Sequence, residues 1–231
     1  MINELLAWHN ESLRNHLLNV AENSKKLASV LKLNMEKQAF LAGFLHDIGK
    51  ADDGAQNRLR RFVGVGGHEI LSYVVAYNLL KEIIDAENRF IVLMAILRHH
   101  QAMADFNERF EQMMQWFSGR VSALKELELI ISEGFIRLNY KLSTGQLLWP
   151  KKENIKNMLH DAQRDIHSFV KDDEMMLKVS LRARILAAVV MMADTYVASK
   201  RGNKGGRYRE EVIHFFKIYD KLYDQFLELA N

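Results

Sequence analysis

The chain contains a single proline, Pro150, among 231 residues. Proline ends or kinks helices because it lacks a backbone N–H and its ring clashes with an earlier carbonyl. With one such break, long helices are possible along almost the whole sequence. Apolar residues also recur at helical spacing, as in Leu13, Leu17, Val20 and Leu27. We therefore expect an all-α fold.

The apolar spacing predicts where these helices lie. The segments are approximately Glu11–Leu31, Met35–Asp47, His68–Asp85, Arg89–His100, Phe110–Glu133, Glu174–Ser199 and Glu210–Leu229. Residues 51–67 are rich in glycine and are expected to form a loop with one short helical turn. Residues 135–149 hold two short apolar runs around Ser143-Thr144-Gly145, which predicts a small β-hairpin near 135–149.

Length and composition are those of one ordinary globular domain, which we expect to span residues 1–231. The chain has no cysteine, so a metal must be held by His, Asp, Glu or backbone oxygen. The longest apolar run, Ile185–Ala193, is too short to span a bilayer. The first twenty residues are too polar for a signal peptide. We expect a cytoplasmic protein with no membrane segment.

Basic residues are concentrated near the C-terminus, although the net charge is only +3. Five of the ten residues from 200 to 209 are basic: Lys200, Arg201, Lys204, Arg207 and Arg209. A run of this kind favours a polyanion such as single-stranded nucleic acid as partner. A solvated surface loop is the alternative, and it is at least as common for a short charge run.

The segment Ala39–Lys50, AFLAGFLHDIGK, places His46 and Asp47 side by side at the end of an apolar helix. Adjacent helical side chains point about 100° apart, so both reach one metal only near the helix end. A carboxylate in such apolar surroundings is costly unless it is compensated. A divalent cation would compensate it.

Four further positions place histidine or aspartate against apolar helices. They are His16, His68, the pair His99-His100, and Asp194. Taken alone, His16 is more simply a hydrogen-bonded core histidine, and His68 could equally lie on the surface. The histidine pair and Asp194 each end a long apolar run, where an unpaired polar group is costly. These residues are therefore candidate metal ligands.

The sequence His46-Asp47-Ile48-Gly49-Lys50 resembles the signature of the HD phosphohydrolase superfamily, which implies a helical bundle. The order of the candidate residues is similar to that of the HD nuclease attached to the CRISPR type I interference helicase. This resemblance implies two metal sites that share Asp47. One would be completed by His16, His46 and Asp194, and the other by His68, His99 and His100.

The resemblance also implies a chemistry. Five imidazoles and two carboxylates favour two Mn, Fe, Co, Ni or Zn ions over Mg, and a water activated between them would attack phosphorus. Lys50 would touch a substrate phosphate, unless it is simply a solvated lysine. The expected substrate is single-stranded DNA, with RNA as a further candidate. Because the chain lacks a G-x-x-x-x-G-K-[ST] loop, a separate CRISPR helicase and an RNA-guided surveillance complex are the implied partners.

Two other functions stay open at this point. An HD phosphohydrolase of small nucleotides typically holds one metal, so it would not need His68, His99 and His100 as ligands. A non-catalytic HD binding module would keep the fold with a decayed site. It is disfavoured because all seven candidate ligands are present.

Overall fold

The computed structural model describes residues 4–100, 105–141, 147–201 and 209–217. Nine α-helices account for most of them: α1 Leu13–Val30, α2 Glu36–Leu45, α3 Asp53–Leu59, α4 His68–Leu80, α5 Ala86–Arg98, α6 Phe106–Trp116, α7 Leu124–Ile136, α8 Ile155–Phe169 and α9 Asp173–Ser199. Residues 209–217 are also helical. Short 3-10 helices cover Ile48–Ala51 and Lys152–Asn154. The expected all-α fold is confirmed.

A small antiparallel sheet is present, but it lies at the N-terminal end of the described chain. Strand β1, Leu6–Trp8, pairs with strand β2, Glu11–Ser12. The hairpin expected near 135–149 is absent from the described part of that range. Residues 135 and 136 end α7, 137–139 form a turn, and 140–141 and 147–150 are irregular. Residues 142–146, including Ser143-Thr144-Gly145, lie outside the described residues.

The position of α7 has a simple cause. Its buried residues Leu127, Ile130, Ile131 and Phe135 recur at helical spacing. The apolar run at residue 135 therefore continues a helix that has already begun, and it does not start a strand.

One other predicted boundary was wrong, and one expected helical turn is longer than predicted. The expected loop at 51–67 contains α3, which begins at Asp53 because the Asp52 carboxylate accepts a hydrogen bond from the Gly54 N–H. The single helix expected from residue 110 to 133 is divided into α6 and α7. Gly119, with a φ of 73°, lies in the break between them.

Helix α2 lies at the centre of the bundle, and every residue from Ala39 to Leu45 is buried. It packs against α1, α4, α5 and α9. Such a helix is apolar on every face because it has no solvent side. The centre of the bundle therefore carries the apolar run that leads into His46 and Asp47. None of the helices described is both long enough and apolar enough to cross a membrane.

Candidate metal centre

The backbone turns sharply between His46 and Asp47. Helix α2 ends at Leu45, His46 is its C-cap, and Asp47 leaves helical geometry with φ −111° and ψ 7°. Nε2 of His46 lies 3.5 Å from Oδ2 of Asp47. Both side chains are almost completely buried. The two side chains therefore meet at the end of the helix, as the sequence predicts.

Gly49 allows α4 to pass directly over this turn. A Cβ atom at Gly49 would lie 2.5 Å from the carbonyl oxygen of His68 and 2.8 Å from the amide nitrogen of Ser72. The Gly49 N–H instead donates to Oγ of Ser72 at 2.9 Å. This close approach brings His68, the first residue of α4, to Asp47, with 2.6 Å between Nε2 and Oδ1.

We call His16, His46, Asp47 and Asp194 the first cluster. Nε2 of His16 lies 3.2 Å from Oδ2 of Asp47 and 3.3 Å from Oδ1 of Asp194. Nε2 of His46 lies 3.9 Å from the same Asp194 oxygen. Helices α1, α2 and α9 and the turn after α2 thus converge on one small volume.

We call Asp47, His68, His99 and His100 the second cluster. Nε2 of His99 lies 3.8 Å from Oδ1 of Asp47, and the His100 ring lies 5.1 Å from the His68 ring, centroid to centroid. Each of the four offers a ligand atom within 4.8 Å of the others. Asp47 turns Oδ1 toward this cluster and Oδ2 toward the first.

Three of the histidines are oriented by the backbone. Nδ1 of His46, His68 and His99 each lies 2.6 or 2.7 Å from a carbonyl oxygen three residues earlier. A carbonyl only accepts hydrogen bonds, so Nδ1 carries the proton and Nε2 keeps its lone pair. Fixing the tautomer in this way is typical of metal-binding histidines.

Five of the atoms that face the clusters have no hydrogen-bond partner. They are Nε2 of His16, His46, His68 and His99, together with Oδ1 of Asp47. Buried polar atoms left without a partner destabilise the fold. One or more divalent cations among them would satisfy all five, so the residues present fit a metal centre.

His16 is oriented differently because it lies inside α1, where backbone carbonyls are already engaged. Its Nδ1 lies 3.3 Å from Oε2 of Glu11 and 3.1 Å from Nη2 of Arg201, and Arg201 also forms an ion pair with Glu11. Arginine only donates, so the contacts with Glu11 and Arg201 require different proton positions on His16. Donation from Nδ1 to Glu11 is the arrangement that leaves Nε2 free for a metal.

Burial and neighbouring charges give the histidines of the two clusters different pKa values. Burial lowers the pKa of His46 and of His99 to about 3, and it also lowers the pKa of His100. Burial opposes protonation of His16 too, but the carboxylates of Asp47, Glu11 and Asp194 raise its pKa to about 9. The first three imidazoles are therefore neutral at neutral pH and ready to bind a cation.

Lys50 contacts the centre directly. Its Nζ lies 2.5 Å from Oδ2 of Asp47. Burial alone would raise the pKa of Asp47, but the neighbouring histidines and the Lys50 ammonium hold it well below the usual range. The expected contact of Lys50 with a substrate phosphate remains a prediction, and its observed partner is the shared carboxylate.

The basic segment is only partly described, because Lys204 and Arg207 lie outside the described residues. Lys200 is exposed, and its Nζ lies 4.7 Å from the centre of the Tyr196 ring. Arg201 is turned toward Glu11 and the first cluster. Arg209 donates to the carbonyl oxygen of Ser199. Arg201 thus supports the centre, whereas Lys200 faces solvent.

Sequence reasoning missed three carboxylates, of which Glu69 and Asp52 are buried and Glu11 is partly buried. Glu11 orients His16, and Glu69 receives two hydrogen bonds from Arg109, at 2.5 and 2.7 Å. Asp52 accepts hydrogen bonds from the backbone of Gly54, Ser118, Gly119 and Arg120 and from the Trp149 indole. No sequence motif marks these positions, because each carboxylate also has partners 40 or more residues away along the chain.

Comparisons with known proteins bear on the family and the fold. The family model described as "HD domain" matches residues 13–137. The fold is similar to that of the CRISPR-associated Cas3 HD domain protein from Methanocaldococcus jannaschii, with a TM-score of 0.53 and 20% sequence identity over 84% of this chain and 100% of that one. No curated protein matches the sequence.

Proposed function

The chain belongs to the HD domain family, and we propose that it is a two-metal nuclease that cuts single-stranded DNA. One observation carries the proposal: Asp47 presents one oxygen to each of two histidine clusters, with 3.2 Å from Oδ2 to His16 and 2.6 Å from Oδ1 to His68. A one-metal phosphohydrolase of small nucleotides would leave the second cluster without a role.

The first cluster would hold one divalent ion and the second cluster the other, with Asp47 common to both. When bound, such ions lower the pKa of water and stabilise charge on phosphoryl oxygens. Neutral His46 and His99 can bind without first losing a proton, because burial keeps their pKa near 3. The Lys50 ammonium, at 2.5 Å from Asp47, adds positive charge where a phosphate would approach.

The nitrogen-rich ligand set favours Mn, Fe, Co, Ni or Zn. We further propose that one domain spans residues 1–231 and acts in the cytoplasm. A separate CRISPR helicase and an RNA-guided surveillance complex would supply the single strand, and RNA is a further candidate substrate. The similarity of the fold to that of a CRISPR-associated Cas3 HD domain protein supports this assignment.

The test is to incubate the purified protein with single- and double-stranded DNA and RNA, with each divalent metal in turn. We expect cleavage of single-stranded DNA with at least one transition metal, and loss of that cleavage with Asp47→Ala. Asp161→Ala, which alters an exposed carboxylate on α8, is the matched control. Near-normal cleavage by Asp47→Ala with metal added back would refute the shared-carboxylate assignment.

The basic segment is expected to guide the nucleic-acid backbone toward the clusters. Lys200, Lys204 and Arg207 can be neutralised together, which leaves Arg201 in place beside Glu11. Each lost phosphate contact should reduce the log-log salt slope of single-strand binding by roughly 0.7. An unchanged slope would show that the strand approaches by another face.

A further inference from the structure

A phenylalanine occupies a position at the end of α3 that favours glycine. The N–H of Phe62 donates to the carbonyl of Leu59, and the N–H of Val63 donates to the carbonyl of Arg58, both at 3.0 Å. These two hydrogen bonds form a Schellman motif, whose penultimate residue is left-handed and most often glycine. Phe62 has a φ of 61°, a left-handed conformation that is sterically unfavourable for a residue with a Cβ atom and not for glycine.

Core packing does not explain this phenylalanine, because 71% of Phe62 is exposed. Its ring meets the imidazole of His9, with 4.6 Å between ring centroids. His9 in turn lies 5.4 Å from the ring of Trp8. The three side chains form a short row of rings, which we call the aromatic row, from the loop after α3 to the β1–β2 turn.

The surroundings of the aromatic row are basic. Residues 58–68 contain three arginines, Arg58, Arg60 and Arg61, and no acidic residue. Residues 5–10 also contain no acidic residue. Within the described part of the chain, none of these three arginines forms an ion pair with a carboxylate. Arg58 donates to the carbonyl of Gly64, and Arg60 contacts the backbone carbonyl of Glu4. Their positive charge is therefore available to a polyanion.

Both segments that carry the aromatic row lead directly into the metal centre. The loop that begins at Phe62 supplies the Val65 carbonyl that orients His68. His68 follows Phe62 by six positions along the chain, so the two lie no more than about 21 Å apart. The β1–β2 turn leads into β2, where Glu11 contacts His16.

We propose that the aromatic row binds the bases of a single nucleic-acid strand by stacking, while Arg60 and Arg61 contact its phosphates. This inference rests on the proposed nuclease function and assigns where the strand lies as it approaches the metals. An exposed ring next to uncompensated arginines is the combination that binds single strands without sequence preference. It also accounts for a phenylalanine in a glycine position.

The test compares wild type with Phe62→Gly and Phe62→Trp, in the metal-loaded protein, by fluorescence anisotropy. The probes are a phosphorothioate single-stranded oligonucleotide, which resists cleavage, and an abasic oligonucleotide of equal length. We expect Phe62→Gly to weaken binding of the base-containing strand by about five- to a hundredfold. Binding of the abasic strand should hardly change. Phe62→Trp should bind like wild type, because stacking is retained.

Leu129→Ala is the matched control, because it removes an equally exposed apolar side chain from α7. The melting temperature of Phe62→Gly should equal or exceed that of wild type, since glycine suits the left-handed position. Wild-type affinity of Phe62→Gly for the base-containing strand would overturn the proposal. The proposal would also be overturned if light scattering showed that wild type is a dimer and that Phe62→Gly is a monomer. The aromatic row would then be a contact between two copies of the chain.

Hydrolysis of a small chromogenic phosphodiester separates this proposal from the function itself. If every variant cleaves the small substrate but base-dependent binding is unaffected by Phe62→Gly, the aromatic row has no role and the nuclease assignment stands. If wild type cleaves neither this small substrate nor single-stranded DNA, the nuclease assignment fails. The binding data then still decide whether the row stacks on bases.

Discussion

Nδ1 of His16 lies 3.3 Å from Oε2 of Glu11, in strand β2. The other oriented histidines use backbone carbonyls, which no substitution can remove. His16 alone depends on a side chain, because its position within α1 leaves it no free carbonyl. Its orientation can therefore be tested by mutation without changing a ligand.

Glu11→Ala should weaken metal binding at the first cluster about ten- to a hundredfold, the usual effect of removing a partner of a metal-binding histidine. Glu11→Gln keeps an acceptor for Nδ1 and should lose less. Isothermal titration with the metal measures both affinities. Glu22→Ala, a half-exposed glutamate of α1 that pairs with Arg137, is the control. Equal weakening at both clusters would argue that Glu11 supports the fold as a whole.

His99→Ala and His100→Ala should each weaken the metal of the second cluster more than that of the first. The reason is geometric, since both histidines lie toward Oδ1 of Asp47 whereas His16 and His46 lie toward Oδ2. Metal titration followed by elemental analysis measures occupancy of the two sites. Two unchanged sites in both variants would make these histidines structural and favour a one-metal phosphohydrolase.

Stability of the chelator-treated protein should be greatest near pH 6.5. His46 and His99 have a folded pKa of about 3, below the ordinary 6.5. As the pH falls below 6.5, the unfolded chain gains protons that the folded protein excludes, so stability decreases. His16 acts in the opposite sense, because its folded pKa is about 9. The stability that protonated His16 contributes to the folded protein is fully present below pH 6.5 and is lost as the pH rises through 9.

Urea unfolding of the chelator-treated protein from pH 5 to 9 measures this dependence. His16→Gln cannot carry the proton, so it should lack the decline on the alkaline side that wild type shows. An identical alkaline slope in both proteins would contradict the assignment of that decline to His16.

Asp52→Ala should destabilise the protein by about 3 kcal/mol or more, because several part-buried N–H donors would lose a charged acceptor. Asp52 is fully buried, and three of its backbone partners lie on the segment between α6 and α7. Asp53→Ala is the matched control, since Asp53 is less buried and accepts from Ser122 alone on that segment. We expect a loss of about 1 kcal/mol there. Equal losses in urea unfolding would show that the burial of Asp52 is unimportant.

Local chemistry made part of the centre predictable. The adjacent His46 and Asp47 after an apolar helix predicted that both side chains meet near the helix end, and they do. The apolar runs before His99 and Asp194 predicted that these residues are drawn inward. His99 is 1% exposed, and Asp194 lies 3.3 Å from His16. In each case, the signal was a polar residue where an apolar run ends.

Long-range partners were not predictable in this way. The apolar spacing predicted that a helix starts at Glu11. Ser12 instead caps α1, so Glu11 lies in strand β2, where it forms an ion pair with Arg201. Arg201 was assigned to nucleic acid because it lies in a basic run. Its actual neighbours are 185 and 190 residues away. Charge patterns in one sequence carry no information about contacts at that separation.

The first cluster draws on both α1 and α9, so His16 meets Asp194 only after nearly the whole described chain has been made. During synthesis at about 5–20 residues per second, roughly ten to forty seconds separate the two residues at the ribosome. Throughout that interval the nascent polypeptide lacks one of the carboxylates of the first cluster. The proposed nuclease would therefore be inactive while it emerges beside messenger RNA. Its activity would begin only after α9 has been made and has packed against α1.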